Sequence, residues 1–153
     1  MLDNRTTVWY ASTVLVQIVQ LGVIQLLQID PMSRVPVYQQ IIEQIERLIL
    51  TGVMRGGDQL PSVRGLSVEL TINPNTIQKA YNELDTKGIV FSVPGKGCFI
   101  REDADKVLAA AKRERMEELR NLAEELLFAG MSEEDLLECV KDAWRNIRGG
   151  NKQ

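Results

Sequence analysis

A short stretch of the chain concentrates side chains that can form hydrogen bonds as donors, as acceptors or as both. It holds two types of amide, a hydroxyl and an ammonium group, on Asn75, Thr76, Gln78, Lys79 and Asn82. An Asn or Gln amide can pair bidentately with the edge of an adenine base, and Thr can contact a thymine methyl or a phosphate. The set therefore favours recognition by hydrogen bonding over covalent chemistry.

Catalytic and metal chemistry have little support in the sequence. The 153 residues include no His, which excludes Ser-His-Asp and Cys-His catalysis and any His-ligated metal. Cys98 and Cys139 form no Cys-x-x-Cys pair, so a reducing, cytoplasmic setting fits better than a disulfide framework or zinc knuckle. Adjacent acids of the tail point about 100° apart on a helix and form a solvated face. We expect no enzyme, cofactor or metal site.

The net charge of −3 comes from the ends of the chain. Residues 1–33 carry one base and two acids, and residues 104–153 carry nine bases and eleven acids. Residues 34–103 carry eight of each. A neutral segment can still present a basic face, because electrostatic attraction depends on where the charges lie.

The amides lie in a series of three predicted helices. Residues 36–51 form the first, from an apolar stripe that includes Tyr38, and end at Gly52. Ser62 caps the second, and Asn73 with Pro74 starts the third after a three-residue turn, 71–73. The third helix buries one face and ends at Lys87 and Gly88; the predicted buried residues are Ile77, Ala80, Tyr81 and Leu84.

Two strand-like runs follow, over residues 89–93 and 98–100, with Pro94-Gly95-Lys96-Gly97 between them. Pro and Gly at these places indicate a hairpin tip. The order is typical of a winged helix-turn-helix, a mainly α fold with a small β-hairpin wing, which we assign to residues 31–103.

This arrangement predicts a DNA-binding surface. The start of the third helix would enter the major groove, with Arg64 and Lys79 neutralising phosphates. Lys96 between Gly95 and Gly97 makes a narrow cationic tip that suits a minor groove. Two alternatives stay open: the polar face is merely solvated, or the winged fold serves as a protein-interaction module without DNA contact.

The motifs resemble the GntR family of bacterial transcriptional regulators over about residues 29–100. They are Pro-Val-Tyr-Gln-Gln-Ile at 36–41, Leu-Pro-Ser-Val-Arg at 60–64, Asn-Pro-Asn-Thr-Ile-Gln-Lys-Ala-Tyr at 73–81 and Gly-Lys-Gly-Cys-Phe-Ile at 95–100. The short tail resembles the YtrA-like subfamily. The resemblance implies DNA contacts by Arg64, Asn75, Thr76, Gln78 and Gly95. Gly65 and Ser67 replace the usual acid and Ala, which we expect to weaken the second helix.

Residues 104–153 predict a two-helix tail for dimerisation. One long helix over 104–129 carries a seam of Met116, Leu119, Ala123 and Leu126, and Ser132 with Asp135 caps a second helix. Packing against a second copy would bury both apolar faces, although folding back on the same chain is the alternative. The resemblance implies a dimer too, and a repressor of its own and neighbouring transporter genes. We expect such a dimer to bind a palindromic operator in double-stranded DNA. A small-molecule effector, if one exists, would bind between domains or at the dimer interface.

Residues 1–30 form an apolar N-terminal extension of uncertain structure. Residues 6–29 carry no charge, and their length is close to the roughly 20 residues that a membrane-spanning helix needs. Four Gln residues share one side of a helix, however, and no signal-peptide cleavage site follows. We expect no stable membrane insertion and favour a segment packed on the body, a poorly ordered extension or translation from an upstream start codon; a membrane-tethered protein is the alternative.

Overall fold

A computed structural model of the chain describes the backbone of residues 22–149 and the side chains of residues 22–147. After a helical stretch at 22–26, the elements in chain order are α1 (Val37–Leu50), α2 (Val63–Leu70), α3 (Pro74–Thr86), β1 (Val90–Val93), β2 (Gly97–Ile100), α4 (Ala104–Glu114), α5 (Met116–Phe128) and α6 (Glu133–Gly149). The chain divides into two compact units between Ala110 and Ala111. The predicted fold class is confirmed.

Both predicted helix caps of the helix-turn-helix are present. The Ser62 hydroxyl accepts a hydrogen bond from the Gly65 amide at 3.0 Å, and the Asn73 side chain accepts one from the Asn75 amide at 2.8 Å. These bonds satisfy amides that a helix start leaves free. Ser67, which we expected to weaken α2, donates its hydroxyl to the Ile72 carbonyl at 2.7 Å. The Ser67 side chain therefore ties the end of α2 to the turn that leads into α3.

The core of the first unit lies between α1, α2, α3 and the hairpin. Its fully buried side chains come from each of these elements: Ile41, Ile45, Leu66, Ile77, Leu84, Val90 and Ile100. The predicted apolar stripe of α1 packs toward this core, with Tyr38 and Leu48 half-buried at its edges. Ala104 and Leu108 of α4 also belong to the core. Burial of apolar surface is the main favourable term that holds α3 in place.

An ion pair joins the ends of α1 and α3. The Lys87 ammonium lies 2.9 Å from a carboxylate oxygen of Glu46, whose side chain is 6% exposed. A carboxylate buried to this degree needs a partner to offset the loss of hydration. The sequence placed Lys87 only at the end of the third helix, so the structure gives this residue a second role.

The end of the predicted N-terminal extension packs on the first unit. Val23 and Leu27 are buried in the core. The Gln44 side chain pairs with the backbone of Gln28, accepting from its amide at 2.8 Å and donating to its carbonyl at 2.6 Å. Buried Gln40 pairs in the same way with Asp30, at 3.0 Å for both bonds. Residues 1–21, which include most of the uncharged run, lie outside the described residues.

The hairpin pairs with a third stretch of chain, which lies between α1 and α2. β1 and β2 are antiparallel, with Val90 opposite Ile100 and Val93 opposite Gly97. Residues 57–60 run along the other side of β2. The Leu60 amide donates to the Cys98 backbone carbonyl and the Ile100 amide donates to the Asp58 backbone carbonyl, both at 2.9 Å. Gln59 lies opposite Phe99. The wing is thereby fixed to the segment that enters α2.

The second unit contains the rest of α4 with α5 and α6. The single long helix expected over residues 104–129 is interrupted at Arg115, whose ψ of 0° departs from the helical value of about −42°. The cap predicted at Ser132 is confirmed, since its hydroxyl accepts from the Asp135 amide at 3.1 Å. Gly130, which follows α5, has a φ of +94°, as a glycine after a helix end commonly does. In the single chain, α5 and α6 expose large apolar side chains: Met116, Leu119, Leu122, Leu127, Phe128, Leu137, Val140, Trp144 and Ile147.

Candidate nucleic-acid interface

Helix α3 presents a polar face on the side opposite the core. Its predicted buried residues are confirmed, and Asn75, Gln78, Lys79 and Asn82 are exposed while Thr76 is half-buried. Pro74 occupies the first turn, so the polar residues begin directly at the helix start. A face of this kind can approach the edges of bases without disturbing the packing beneath it.

The Gln78 amide is held in one orientation. Its nitrogen donates to the side-chain oxygen of Asn82 at 2.8 Å, one helical turn further along α3. This bond uses one amide hydrogen and leaves a carbonyl oxygen and a second N–H in the same plane. Those two groups are the ones that pair with adenine in a bidentate contact.

An open groove of about 510 Å³ lies between α3, the start of α2 and the wing. The groove brings together four of the predicted site residues, which are Gln78, Gly95, Lys96 and Gly97. The hydroxyl-bearing residues Ser62 and Ser92 also line it. The recognition helix and the wing thus share one concave surface that carries a cation and several hydrogen-bonding groups.

The wing tip is fixed by a side chain that sequence reasoning missed. The Gln59 amide donates to the Lys96 carbonyl at 2.7 Å. Gly97 has a φ of +123°, and a Cβ built on it would lie 2.5 Å from the Gln59 nitrogen. Gly95 also has a positive φ, +74°, but open space around it. Nothing in the sequence near Gln59 distinguishes it from an ordinary loop residue.

The other four predicted residues lie outside this groove. Arg64 is exposed in the first turn of α2, and Asn75 is exposed at the start of α3. Thr76 lines a second groove, of about 410 Å³, beside the turn between α2 and α3. The Lys79 ammonium lies 3.6 Å from the centroid of the Tyr38 ring. The sequence had placed Tyr38 only in the apolar stripe of α1.

Buried groups beneath the groove hold it in shape. The Tyr81 hydroxyl donates to the Pro61 carbonyl at 2.7 Å, which joins α3 to the segment before α2. Burial raises the pKa of the Tyr81 phenol well above its usual range, and nearby Cys98 contributes in the same direction. Burial likewise raises the pKa of the Cys98 thiol, so at neutral pH it stays protonated and unreactive.

Among residues 22–147, no group of three or more His, Cys, Asp and Glu side chains is placed to hold a metal ion. Within the same described region, no helix has both the length and the apolar character needed to cross a membrane. Three predicted site cations are exposed on the first unit: Arg64, Lys79 and Lys96.

Comparison with known proteins identifies the family. Residues 37–100 match the bacterial regulatory proteins of the gntR family. The HTH-type transcriptional repressor YtrA of Bacillus subtilis (strain 168) is 41% identical over 128 residues, which are 83% of this chain and 98% of that protein. The chain belongs to the GntR family. The family resemblance inferred from the motifs is confirmed, and this GntR-family chain is a DNA-binding transcriptional regulator and not an enzyme.

Solved structures of GntR-family regulators have a similar fold. A GntR family transcriptional regulator from Listeria monocytogenes is 34% identical, with a TM-score of 0.61 and coverage of 74% of this chain and 98% of that one. YtrA from Sulfolobus acidocaldarius, a GntR-family transcription factor, is also 34% identical, with a TM-score of 0.52 and coverage of 64% and 98%. The likeness to the second protein supports the YtrA-like assignment.

Proposed function

We propose that this GntR-family regulator represses transcription by binding, as a dimer, to a palindromic operator in double-stranded DNA. The observation that carries the proposal is the groove in which Gln78 of α3 faces the wing tip of Gly95, Lys96 and Gly97. One concave surface thereby offers an oriented amide to the major groove and a cationic loop to the neighbouring minor groove.

The start of α3 reads the bases in this proposal. Asn75, Thr76 and Gln78 are close enough to the helix start to reach base edges, as the first turns of a recognition helix do. Arg64 in α2 and Lys79 in α3 neutralise backbone phosphates, which fixes the register of the protein on the duplex.

The wing adds a second contact. Lys96 is exposed at a tip whose two glycines keep the backbone free of side chains. A narrow cationic loop fits the negative potential of a minor groove, and the Gln59 bond to the Lys96 carbonyl holds the loop in one conformation.

Dimerisation uses α5 and α6. Their exposed apolar side chains include Leu119, Val140 and Ile147, and a second copy of the tail would remove these from water. Two recognition helices related by a two-fold axis match half-sites about 34 Å apart, as a palindrome requires. Resemblance to a protein named as a transcriptional repressor supports repression, and family analogy suggests the regulator's own operon and neighbouring transporter genes as targets.

Selection of genomic DNA fragments by the purified full chain tests this function. We expect recovery of palindromic fragments, and an affinity for them that falls steeply with added salt because bound phosphates release counterions. An unrelated duplex of equal length is the control and should bind far more weakly. Absence of binding even at low salt would contradict the proposal and favour a winged-helix protein-interaction module.

A further inference from the structure

Tyr38 and Lys79 form a contact between α1 and the polar face of α3. The Lys79 Nζ atom lies 3.6 Å from the centroid of the Tyr38 ring. The ring itself is half-buried and packs against the hydrophobic core, so its position is set by the fold. Lys79 is exposed, and the ring therefore holds one end of an otherwise solvated side chain.

The geometry suits an attraction between the ammonium group and the face of the ring. A cation within about 6 Å of a ring centroid is attracted by the negative face of the π system. A free Lys side chain samples many rotamers and loses them when it binds a phosphate. A Lys side chain that already rests on a rigid ring has fewer rotamers to lose when it binds a phosphate, which favours binding.

The charge of Lys79 is available to an external anion. Within residues 22–147, Lys79 forms no ion pair with a carboxylate, unlike Lys87 at the other end of α3. Contact with an aromatic ring leaves the ammonium positive and able to donate hydrogen bonds. The arrangement thus orders the cation without neutralising it.

We infer that Tyr38 is a positioning residue for DNA binding, which holds the Lys79 ammonium ready for a backbone phosphate beside α3. The inference rests on the proposed function, since it needs Lys79 to contact DNA. It adds a requirement on α1, an element to which no DNA-related role was assigned, and it specifies the ring of Tyr38 and not its hydroxyl as the part that matters.

Four variants of the full chain test the inference: Tyr38→Phe, Tyr38→Leu, Lys79→Ala and the double variant Tyr38→Leu/Lys79→Ala. Affinity is measured across a salt series on the selected operator duplex and on an unrelated duplex of equal length. We expect Lys79→Ala to weaken binding to both and to reduce the salt slope by about one for each subunit. Tyr38→Leu should lose about two- to tenfold in affinity for each subunit, and Tyr38→Phe should bind like the parent.

The double variant separates positioning from a general effect on folding. If the ring acts through Lys79, Tyr38→Leu causes no further loss of affinity once Lys79 is Ala. A direct readout without DNA is the NMR shift of the Lys79 ε-methylene protons, which the ring should move upfield in the parent and in Tyr38→Phe but not in Tyr38→Leu.

Several results would overturn the inference. Parent-like binding by Tyr38→Leu, or a loss that persists in full in the Lys79→Ala background, would show that the ring does not position the cation. Parent-like binding by Lys79→Ala would refute the phosphate contact and the inference with it, while operator selection by the parent would leave the proposed function standing. A parent that binds no DNA would overturn both.

Discussion

Two glycines at the wing tip serve different purposes. Gly95 has a φ of +74° with open space around it, so glycine is favoured there only because it adopts this backbone conformation without strain. Gly97 has a φ of +123° and also lies against Gln59, the residue that binds the Lys96 carbonyl. Any side chain at Gly97 would have to displace that amide as well as strain the backbone.

We predict that Gly97→Ala lowers the free energy of unfolding by about 2–3 kcal/mol, because backbone strain adds to the loss of the hydrogen bond from the displaced Gln59 amide to the Lys96 carbonyl. The matched control is Gly95→Asn, which should lose less than about 1 kcal/mol since Asn tolerates a left-handed conformation. Urea unfolding of the purified variants measures both. Equal effects at the two positions would refute the distinction between them.

Residue type alone predicted the helix caps but not the contacts between distant residues. Ser62 and Asn73 act on amides two or three positions away, so local spacing identifies them. The Gln59 bond to Lys96 spans 37 positions, and the contact of Tyr38 with Lys79 joins two helices. Such pairs depend on how the elements pack, which no local pattern in a single sequence reports.

Among the elements, α2 is short, and the capping hydrogen bonds at its start are made in one direction only. Ser62 caps the helix through the Gly65 amide, but Gly65 has no side chain to return a hydrogen bond to the backbone of Ser62. Ser-x-x-Glu at these positions would form a reciprocal capping box. The family's usual acidic residue at this place therefore has a physical purpose that this chain lacks.

Gly65→Glu should raise the free energy of unfolding by about 1–2 kcal/mol, through helix propensity, the capping box and the charge near the helix start. Gly65→Ala is the control. A Cβ at this position lies 3.0 Å from the Ser62 hydroxyl oxygen in both variants, but only Glu has the carboxylate that completes the capping box. Thermal unfolding compares them. A Glu variant no more stable than the Ala variant would argue against the capping box.

The elements themselves were largely predictable, with two exceptions. Periodicity and caps predicted α1, α2, α3 and the hairpin, because each pattern lies within one element. The break at Arg115 was not predicted, since neither Gly nor Pro marks it. Pairing of residues 57–60 with β2 was missed as well, because a stretch of four residues without alternating apolar positions gives no strand signal.

For the whole molecule, the distribution of charge and apolar surface differs between the two units. Residues 34–103 are neutral, with Arg64, Lys79 and Lys96 exposed, and the excess acid lies toward the ends of the chain. The second unit exposes apolar side chains on both of its helices beyond α4. A net charge of −3 gives weak general attraction to phosphates, so two linked subunits should matter for affinity.

We expect Val140→Asp to shift the protein from dimer to monomer, because it places a charge in the apolar face of α6. Val140 is 57% exposed in the single chain, so the substitution should leave the fold intact. Sedimentation velocity measures the change, and Lys141→Asp, at the adjacent exposed polar position, is the control. A Val140→Asp protein that sediments like the parent dimer would place the interface elsewhere.

The most direct measurement of base reading by α3 is the affinity of Arg64→Ala and Gln78→Ala for the selected operator and for operators carrying single base-pair changes. Arg64→Ala should weaken binding to every sequence alike, and Gln78→Ala should lose about 1–3 kcal/mol on the parent operator while relaxing preference at one base pair of each half-site. Arg47→Ala, an exposed cation in the last turn of α1, should bind like the parent. Parent-like affinity and base preference in both Arg64→Ala and Gln78→Ala would contradict DNA reading by this surface.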